Sequence, residues 1–279
     1  MSTSSADLPV TEQVLHRVDE QGISWITLNR PDVKNAISPD QRDHVIGLLA
    51  EASTDIGIRG VVLGHTGDAF CTGADLRARR EPAPRPDDAP DRTVGEVAKL
   101  IREGAQRLVA AVMDCEKPVL GAISGTAAGI GAHIAFACDL VIAADDVRFI
   151  EVFARRGLVP DGGGAYLLPR TIGLQRTKEL MFFGDDLPAA EAAALGLVNR
   201  AVPRDQFEAT VQEWAARLAT APTRALALTK SLVNRSLDSD RVTAFAEEAT
   251  AQELNMGTVD ANEGVKAFVE RRPAAYRGW

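Results

Sequence analysis

Strand-like and helical segments alternate along the N-terminal and central parts of this chain. Short apolar runs with strand character lie at 24–29 (SWITLN), 60–66 (GVVLGHT), 118–124 (PVLGAIS), 140–145 (LVIAAD) and 148–152 (RFIEV). Helical patterns separate several of these runs. In one of them Ser38 can cap the helix, Pro39 suits its first turn and Gln41 completes a capping box. Alternation of this kind predicts an α/β core with a mainly parallel sheet.

The character of the sequence changes near residue 188, after which helical spacing dominates. The helical segments are 189–196, 205–220, 223–237, 242–255 and 261–272. We therefore expect an α/β core over residues 1–200 and a helical region over 201–279. The stretch REPAPRPDDAPDR at 80–92 is too rich in proline and charge to bury itself, and it predicts a mobile surface loop.

The composition excludes several classes of protein. With 46% hydrophobic and 25% charged residues in 279, the chain is globular rather than disordered. Its net charge of -8 disfavours nucleic-acid binding, which depends on cationic contacts to phosphate. The N-terminus lacks the parts of a secretory signal, and no apolar run approaches the roughly 20 residues that cross a bilayer, so we expect a cytosolic protein without membrane contact. Cys71, Cys115 and Cys138 lack CxxC spacing, which argues against disulfides and against a metal site.

Glycines crowd the segment GTAAGIGAHIAFACDL at 125–140, where a buried helix should begin. A glycine costs a helix about 1 kcal/mol relative to alanine, so Gly129 and Gly131 indicate an unusual backbone angle or a close approach. Three interpretations are open: a dinucleotide fingerprint, tight helix-to-sheet packing, or helix N–H groups that donate to a negatively polarised oxygen. The dinucleotide fingerprint is incomplete, because Ile134 stands at its third glycine position.

A second strand end with glycine, AFCTGADL at 69–76, can supply a further N–H group. At this point the chain resembles the enoyl-CoA hydratase/isomerase (crotonase) family, from about residue 22 to its end. The matching motifs follow in family order: ITLNRPDVKNAIS, AFCTGADL, KPVLGAISGTAAGIGAHIAFACDL, GLVPDGGGAYLLPR and EGVKAFVERR. The resemblance implies a spiral of strand-strand-helix turns with an acyl-CoA site, then a helical trimerisation region, and assembly as a homotrimer or hexamer.

The resemblance also implies an acyl-CoA substrate, with coenzyme A present as part of the thioester and with no permanently bound cofactor or metal. The backbone N–H groups of Ala74 and Ile130 would hold the thioester oxygen. Most relatives have a glycine at the position of Ile130, whose side chain can narrow the acyl pocket. Because removal of an α-proton places charge on this oxygen, each donor would contribute about 2.7–4 kcal/mol to the enolate.

Family hydratases use two glutamates to position and activate water, and the matching positions here hold His133 and Phe153. Neither residue is a carboxylate, which weakens the hydratase assignment. Glu151 precedes Phe153 by two positions and would share its face on a strand, either as a substitute carboxylate or as a surface or salt-bridged residue. His133 could donate to the substrate, bond Asp161, or have no chemical role.

Asp161, in the motif VPDGGG, is the better candidate for the acid and base. It aligns with a functional aspartate of dienoyl-CoA isomerases, epoxyphenylacetyl-CoA isomerases and chlorobenzoyl-CoA dehalogenases, and the surrounding pattern is most similar to the epoxyphenylacetyl-CoA group. A free aspartate has a pKa of about 3.9, so burial beside Phe153, Leu158 and Ile130 would have to raise it. The alternative is that Asp161 only caps a turn or helix.

Contacts to coenzyme A also follow from the resemblance. The matching positions are Arg30 and Lys34 for the CoA phosphates, the backbones of Ala36 and Thr72 for adenine, and Phe268 and Arg271 for a neighbouring subunit's site. We expect an acyl-CoA enzyme that isomerises a double bond or ring, with Asp161 as acid and base. The alternatives are a hydratase that uses Glu151 or Asp161, a non-catalytic acyl-CoA-binding protein, and a nicotinamide-dependent dehydrogenase.

Overall fold

The computed structural model describes Ser5 and residues 8–78, 86–90 and 93–279. Residues 79–85 and 91–92 lie outside the described residues, and they include most of the loop predicted at 80–92. The mobility of that loop therefore stays a prediction.

Six strands form the larger sheet. They are β1 Val14–Val18, β2 Ile23–Leu28, β3 Gly60–His65, β5 Val119–Ile123, β7 Leu140–Ala144 and β10 Arg200–Val202, in the order β1-β2-β3-β5-β7-β10. β1 pairs antiparallel with β2, and the other neighbours pair in parallel. The runs predicted at 24–29, 60–66, 118–124 and 140–145 are β2, β3, β5 and β7, so the mainly parallel α/β sheet is confirmed.

Four short strands form the smaller sheet. They are β4 Ala69–Cys71, β6 Thr126–Ala128, β8 Arg148–Ile150 and β9 Asp186–Pro188, in that order. β4, β6 and β8 run parallel, and β9 is antiparallel to β8. The chain visits the larger sheet, then the smaller sheet, then a helix, three times in succession through β3-β4, β5-β6 and β7-β8. This repeat is the spiral of strand-strand-helix turns that the resemblance implied.

Helices cover the sheets and form the C-terminal part. The longer ones are α2 Pro39–Thr54, α4 Arg107–Asp114, α5 Ile130–Ala137, α6 Gly164–Phe183, α8 Arg204–Ala219, α9 Thr223–Ser236, α10 Arg241–Met256 and α11 Val259–Glu270. The shorter ones are α1 Val10–Gln13, α3 Glu96–Ile101 and α7 Ala189–Ala194, with 3-10 turns at Pro31–Val33 and Ala154–Arg156 and a π-helical turn at Arg102–Gln106. The capping box predicted at Ser38 and Gln41 is present at the start of α2.

One apolar core joins the sheets to the flanking helices, and α8 takes part in it. Phe207, Val211 and Leu218 of α8 are buried in the same cluster as the strands. The boundary predicted at 200/201 falls inside β10, which pairs with β7. By contrast α10 has no buried side chain. Of the C-terminal helices, α10 therefore stands apart from the core, whereas Leu226 of α9 packs against it.

Candidate active site

The two residues predicted to donate backbone N–H groups, Ala74 and Ile130, line one cavity beside the smaller sheet and α5. Ile130 is the first residue of α5, so its N–H lacks a partner within the helix. Ala74 follows β4 and forms a parallel bridge with Ile37, in which Ile37 bonds the backbone of the residues on either side of Ala74. The N–H of Ala74 therefore points away from Ile37. Both Ala74 and Ile130 line the cavity.

Gly129 and Gly131 make this arrangement possible. Gly129 has φ 55, a left-handed conformation that favours glycine. A Cβ on Gly131 would lie 2.0 Å from the carbonyl oxygen of Cys71, so only glycine lets α5 approach β4 this closely. Tight helix-to-strand packing, one of the interpretations offered for this motif, is therefore observed, and the interpretation that helix N–H groups donate to an oxygen stays a prediction.

Asp161 lines the same cavity as the two N–H groups. Burial raises the pKa of Asp161 above the usual 3.8, and nearby His133 opposes part of that rise. Phe153, Leu158 and Ile130, the residues expected to desolvate it, also line the cavity. The N-cap of α6 is Gly163, so Asp161 is not the capping residue of that helix.

His133 and Glu151 lie behind the cavity rather than in its lining. The His133 side chain is 0% exposed, and its Nε2 is 3.1 Å from Oε2 of Glu151, which is itself 4% exposed. The His133 ring stacks on Phe153 at 5.2 Å between centroids. Because it is buried, His133 has no direct access to a ligand in the cavity. Glu151 is paired with His133, which is one of the two roles considered for Glu151 from the sequence.

Arg30 is buried, which corrects its predicted role as a phosphate contact. Its guanidinium is 3.1 Å from Asp75, and the two side chains are 3% and 5% exposed. The same group donates to the carbonyl of Ala36 and to Gln41. These contacts and its burial place Arg30 within the protein rather than facing solvent.

Lys34, Ala36 and Thr72 form one rim next to Ala74. Lys34 is exposed, and its carbonyl accepts hydrogen bonds from the backbone and the hydroxyl of Thr72. Ala36 precedes Ile37, the residue that bridges to Ala74. The structure thus places these three predicted contacts together at the side of the cavity.

Phe268 and Arg271 lie at the end of α11, away from the residues that line the cavity of their own chain. The Phe268 side chain is 85% exposed. Arg271 is the C-cap of α11, with φ 55. Within one chain the structure does not bring these two residues to the site.

Arg156 was missed from the sequence although it lines the cavity together with Asp161. It is exposed, and it lies three residues after Phe153 at the end of a 3-10 turn. The sequence feature that could have indicated Arg156 is the pair of basic residues between Phe153 and the VPDGGG motif. Val152 and Leu76, which complete the apolar lining, carried no such signal.

Across the described ranges, no helix combines the length and hydropathy needed to cross a bilayer. Nor does any cluster of three or more His, Cys, Asp or Glu among those residues suit a metal ion. The cavity is lined by Ala74 and Ile130, the residues expected to supply N–H donors, and by the partly desolvated carboxyl of Asp161. An enzyme that holds a negatively charged oxygen while a proton moves nearby needs groups of these two kinds.

Comparison with known proteins identifies the family. The model of the Enoyl-CoA hydratase/isomerase family matches residues 19–278. A Rhodobacter capsulatus protein named "Probable enoyl-CoA hydratase" is 37% identical over 258 residues, 92% of this chain and 95% of its own. The 1,2-epoxyphenylacetyl-CoA isomerase of Escherichia coli K12 is 34% identical over 259 residues, 93% of this chain and 96% of its own.

A solved structure agrees with these relatives. The crystal structure of an enoyl-CoA hydratase/isomerase from Cupriavidus metallidurans CH34 has a TM-score of 0.85 and 34% identity, over 96% of this chain and 97% of that one. The chain therefore belongs to the enoyl-CoA hydratase/isomerase family and is an enzyme of that family. The names of its relatives include both a hydratase and an isomerase.

Proposed function

We propose that this enzyme isomerises a double bond or a ring in an acyl-CoA, with Asp161 as the acid and base. The observation that carries the proposal is the shared cavity of Ala74, Ile130 and Asp161. A thioester oxygen bound to the two N–H groups would place the acyl carbons within the same cavity as the Asp161 carboxylate. One carboxylate that removes a proton and returns it to another carbon is sufficient for isomerisation.

The proposed reaction proceeds through an enolate. Asp161 accepts a proton from the acyl chain, and the electron pair that remains moves onto the thioester oxygen. Each N–H donor stabilises this oxyanion by about 2.7–4 kcal/mol. The raised pKa of Asp161 suits the task, because a base is most effective when its pKa approaches the working pH. Return of the proton elsewhere on the enolate completes the isomerisation.

Hydration is the second candidate, supported by the name of the Rhodobacter relative. A hydratase has to hold a water molecule and deliver a proton, which is harder with one carboxylate than with two. The two family glutamate positions hold His133 and Phe153, and Glu151 is buried against His133 outside the cavity lining. These placements favour isomerisation.

Coenzyme A binding and assembly are part of the proposal. Lys34 is an exposed cation whose backbone contacts Thr72, so it is our candidate for a CoA phosphate, with the Ala36 and Thr72 backbones near adenine. The exposed apolar side chains of the C-terminal helices support a trimer or a hexamer, in which Phe268 and Arg271 would meet a neighbouring subunit. Among those side chains are Phe245, Leu254, Val265, Phe268 and Val269.

Product masses test the reaction. The purified enzyme is incubated with 2-enoyl-, 3-enoyl- and dienoyl-CoA, and with the 1,2-epoxyphenylacetyl-CoA named for one relative. An ultraviolet change at unchanged mass supports isomerisation, whereas the gain of one water on 2-enoyl-CoA means hydration. If the CoA esters bind measurably but none is converted, the non-catalytic alternative is favoured. Absorbance at ~340 nm with added NAD would indicate the dehydrogenase, whose chemistry is hydride transfer to nicotinamide.

A substitution at Asp161 tests the mechanism. Asp161→Asn should abolish turnover while CoA-ester affinity stays within about threefold, because the N–H donors and the CoA rim are untouched. Asp205→Asn, at an exposed aspartate in the first turn of α8, is the matched control and should keep full turnover. Turnover in Asp161→Asn comparable to wild type would eliminate Asp161 as the base.

A further inference from the structure

A buried pair of titratable side chains, His133 and Glu151, lies behind the cavity. Nε2 of His133 is 3.1 Å from Oε2 of Glu151, with side chains 0% and 4% exposed. The other polar atom of each group, Nδ1 of His133 and Oε1 of Glu151, has no hydrogen-bond partner among the described residues. Burying polar atoms without hydrogen-bond partners is unfavourable. A buried pair with a purely structural role would normally have these atoms hydrogen-bonded, so the two unpartnered atoms favour a further role for the pair.

The turn that carries Asp161 rests on the imidazole. A Cβ built on Gly162 would lie 2.8 Å from Nδ1 of His133, and one built on Gly164 would lie 2.2 Å from Nε2. Phe153 stacks on the ring at an interplanar angle of 15°. The glycines after Asp161 thus let the backbone contact the ring, and Nδ1 faces the residue next to Asp161.

Few other charges surround this pair. Arg156 lines the cavity, and Arg155 pairs with Asp186 at 3.5 Å. Asp185 shares a small void with Glu151. On β4, burial raises the pKa of the Cys71 thiol to about 11, so the thiol is neutral. The buried face of α4 is apolar. The groups best placed to act on Asp161 from within the protein are therefore His133 and, through it, Glu151.

We propose that Glu151 and His133 are positioning residues for Asp161: Glu151 holds the imidazole through their contact, and the imidazole seats the Asp161 turn and favours the ionised form of its carboxylate. The inference rests on the proposed function, since it matters only if Asp161 is the base. Desolvation in the cavity disfavours the charged carboxylate. His133, behind the turn, opposes that effect without touching the substrate.

Glu151→Gln is the first test, because it removes the charge and keeps the shape. The acidic limb is the part of the pH profile in which kcat/KM declines as the pH falls. In Glu151→Gln this limb should move to higher pH by about half a unit to one unit, so that kcat/KM measured on it falls about three- to tenfold. At high pH the variant and wild-type curves should meet. KM should stay within about twofold, because neither residue lines the cavity.

Three further variants separate charge from packing. Glu151→Asp keeps the charge and should restore the acidic limb most of the way to the wild-type pH. His133→Gln should shift the limb as Glu151→Gln does, and the double variant no further, because the two residues act as one unit. His133→Gln also serves if Glu151→Gln fails to fold. Asp139→Asn is the matched control: it breaks another buried pair, 2.8 Å from Lys230, and should lower Tm without moving the limb.

Two outcomes would overturn different claims. If Glu151→Gln and His133→Gln lower activity equally at every pH, the pair only supports packing and the inference fails. If Asp161→Asn itself stays active, the proposed function fails first. An inactive Asp161→Asn together with an unmoved acidic limb in both pair variants would reject this inference and leave the proposed function standing.

Discussion

Gly131 in α5 contacts Cys71 in β4 so closely that a Cβ on the glycine would lie 2.0 Å from the Cys71 carbonyl oxygen. This contact joins the start of a helix to the end of a strand in the smaller sheet. Ile130 precedes Gly131, and Ala74 follows Cys71 by three residues, so the contact brings the two proposed N–H donors to one cavity. The geometry of the site thus depends on one missing side chain.

Gly131→Ala should therefore damage both stability and activity. The added methyl group meets backbone atoms that cannot move aside cheaply, and overpacking of this kind costs about 1–3 kcal/mol or more. The measurement is Tm together with kcat/KM for a converted CoA ester. Gly47→Ala in α2, where no atom lies within 4 Å of the added Cβ, is the control and should leave activity unchanged and stability equal or higher. A fully active and stable Gly131→Ala would contradict the packing argument.

Much of the fold could be predicted because local patterns carried it. Ser38 and Gln41 form the predicted capping box, and the apolar runs at β2, β3, β5 and β7 are strands. β1 was not predicted, because only its first residue, Val14, is buried, so it lacks the alternating apolar pattern of a half-buried strand. It is held instead by pairing with β2, a contact that local patterns do not reveal.

The site could be predicted only in part. Asp161, Ala74 and Ile130 could be placed from motifs, and the structure brings them to one cavity. Arg30 was expected to contact the CoA phosphates, but it is buried against Asp75, which lies 45 residues away along the chain, and a single sequence shows no sign of that pairing. The His133 pair with Glu151 escaped prediction for the same reason, since it depends on how α5 packs against the segment after β8.

The pH dependence of the wild-type enzyme follows from the raised pKa of Asp161. Below this pKa the carboxyl is protonated and cannot accept a proton from the substrate. As pH falls, kcat/KM should therefore decline through an acidic limb whose midpoint lies above the 3.8 usual for aspartic acid. Steady-state kinetics from about pH 4 to pH 8 test this. A profile without any acidic limb in that range would count against an Asp161 base.

The ionised Asp161 carboxylate should lower the stability of the folded enzyme at neutral pH. Because burial raises the pKa of Asp161, ionisation is less favourable in the folded than in the unfolded state. The neutral Asp161 carboxyl contributes its full stability at pH values below its pKa in the unfolded state. This contribution is lost as the pH rises through the pKa of Asp161 in the folded state. Asp161→Asn, which stays neutral, should have a higher Tm than wild type at neutral pH, with the difference shrinking toward pH 4. A Tm below wild type at neutral pH would show that the carboxylate supports the fold.

A substitution of Phe268, whose ring is exposed, tests the self-association of the chain. At 85% exposure, this aromatic at the end of α11 should pack against a second copy of the chain. Phe268→Asp should weaken self-association by about tenfold or more, because loss of an interface aromatic commonly costs upward of about 1 kcal/mol. Sedimentation over a concentration series measures this. Leu15→Asp, at a 41% exposed position on β1, is the control. Unchanged association of Phe268→Asp would remove Phe268 from the interface.

Arg30 and Lys34 should respond in opposite ways, although they are four residues apart. Arg30→Ala removes the buried partner of Asp75, which then keeps its contacts with the exposed Arg77, and breaking a buried pair costs about 3–5 kcal/mol, so Tm should fall sharply. Lys34→Ala removes an exposed charge and should leave Tm unchanged.

The effect of Lys34→Ala should appear in binding instead. KM for a CoA ester should rise about three- to tenfold, the range that loss of one exposed charge contact to phosphate produces, and the gap to wild type should narrow with added salt. A shortened acyl thioester without the CoA phosphates is the control substrate, and its KM should not change. If Lys34→Ala instead lowers Tm and leaves KM for the CoA ester unaltered, Lys34 supports the loop and the CoA phosphates bind elsewhere.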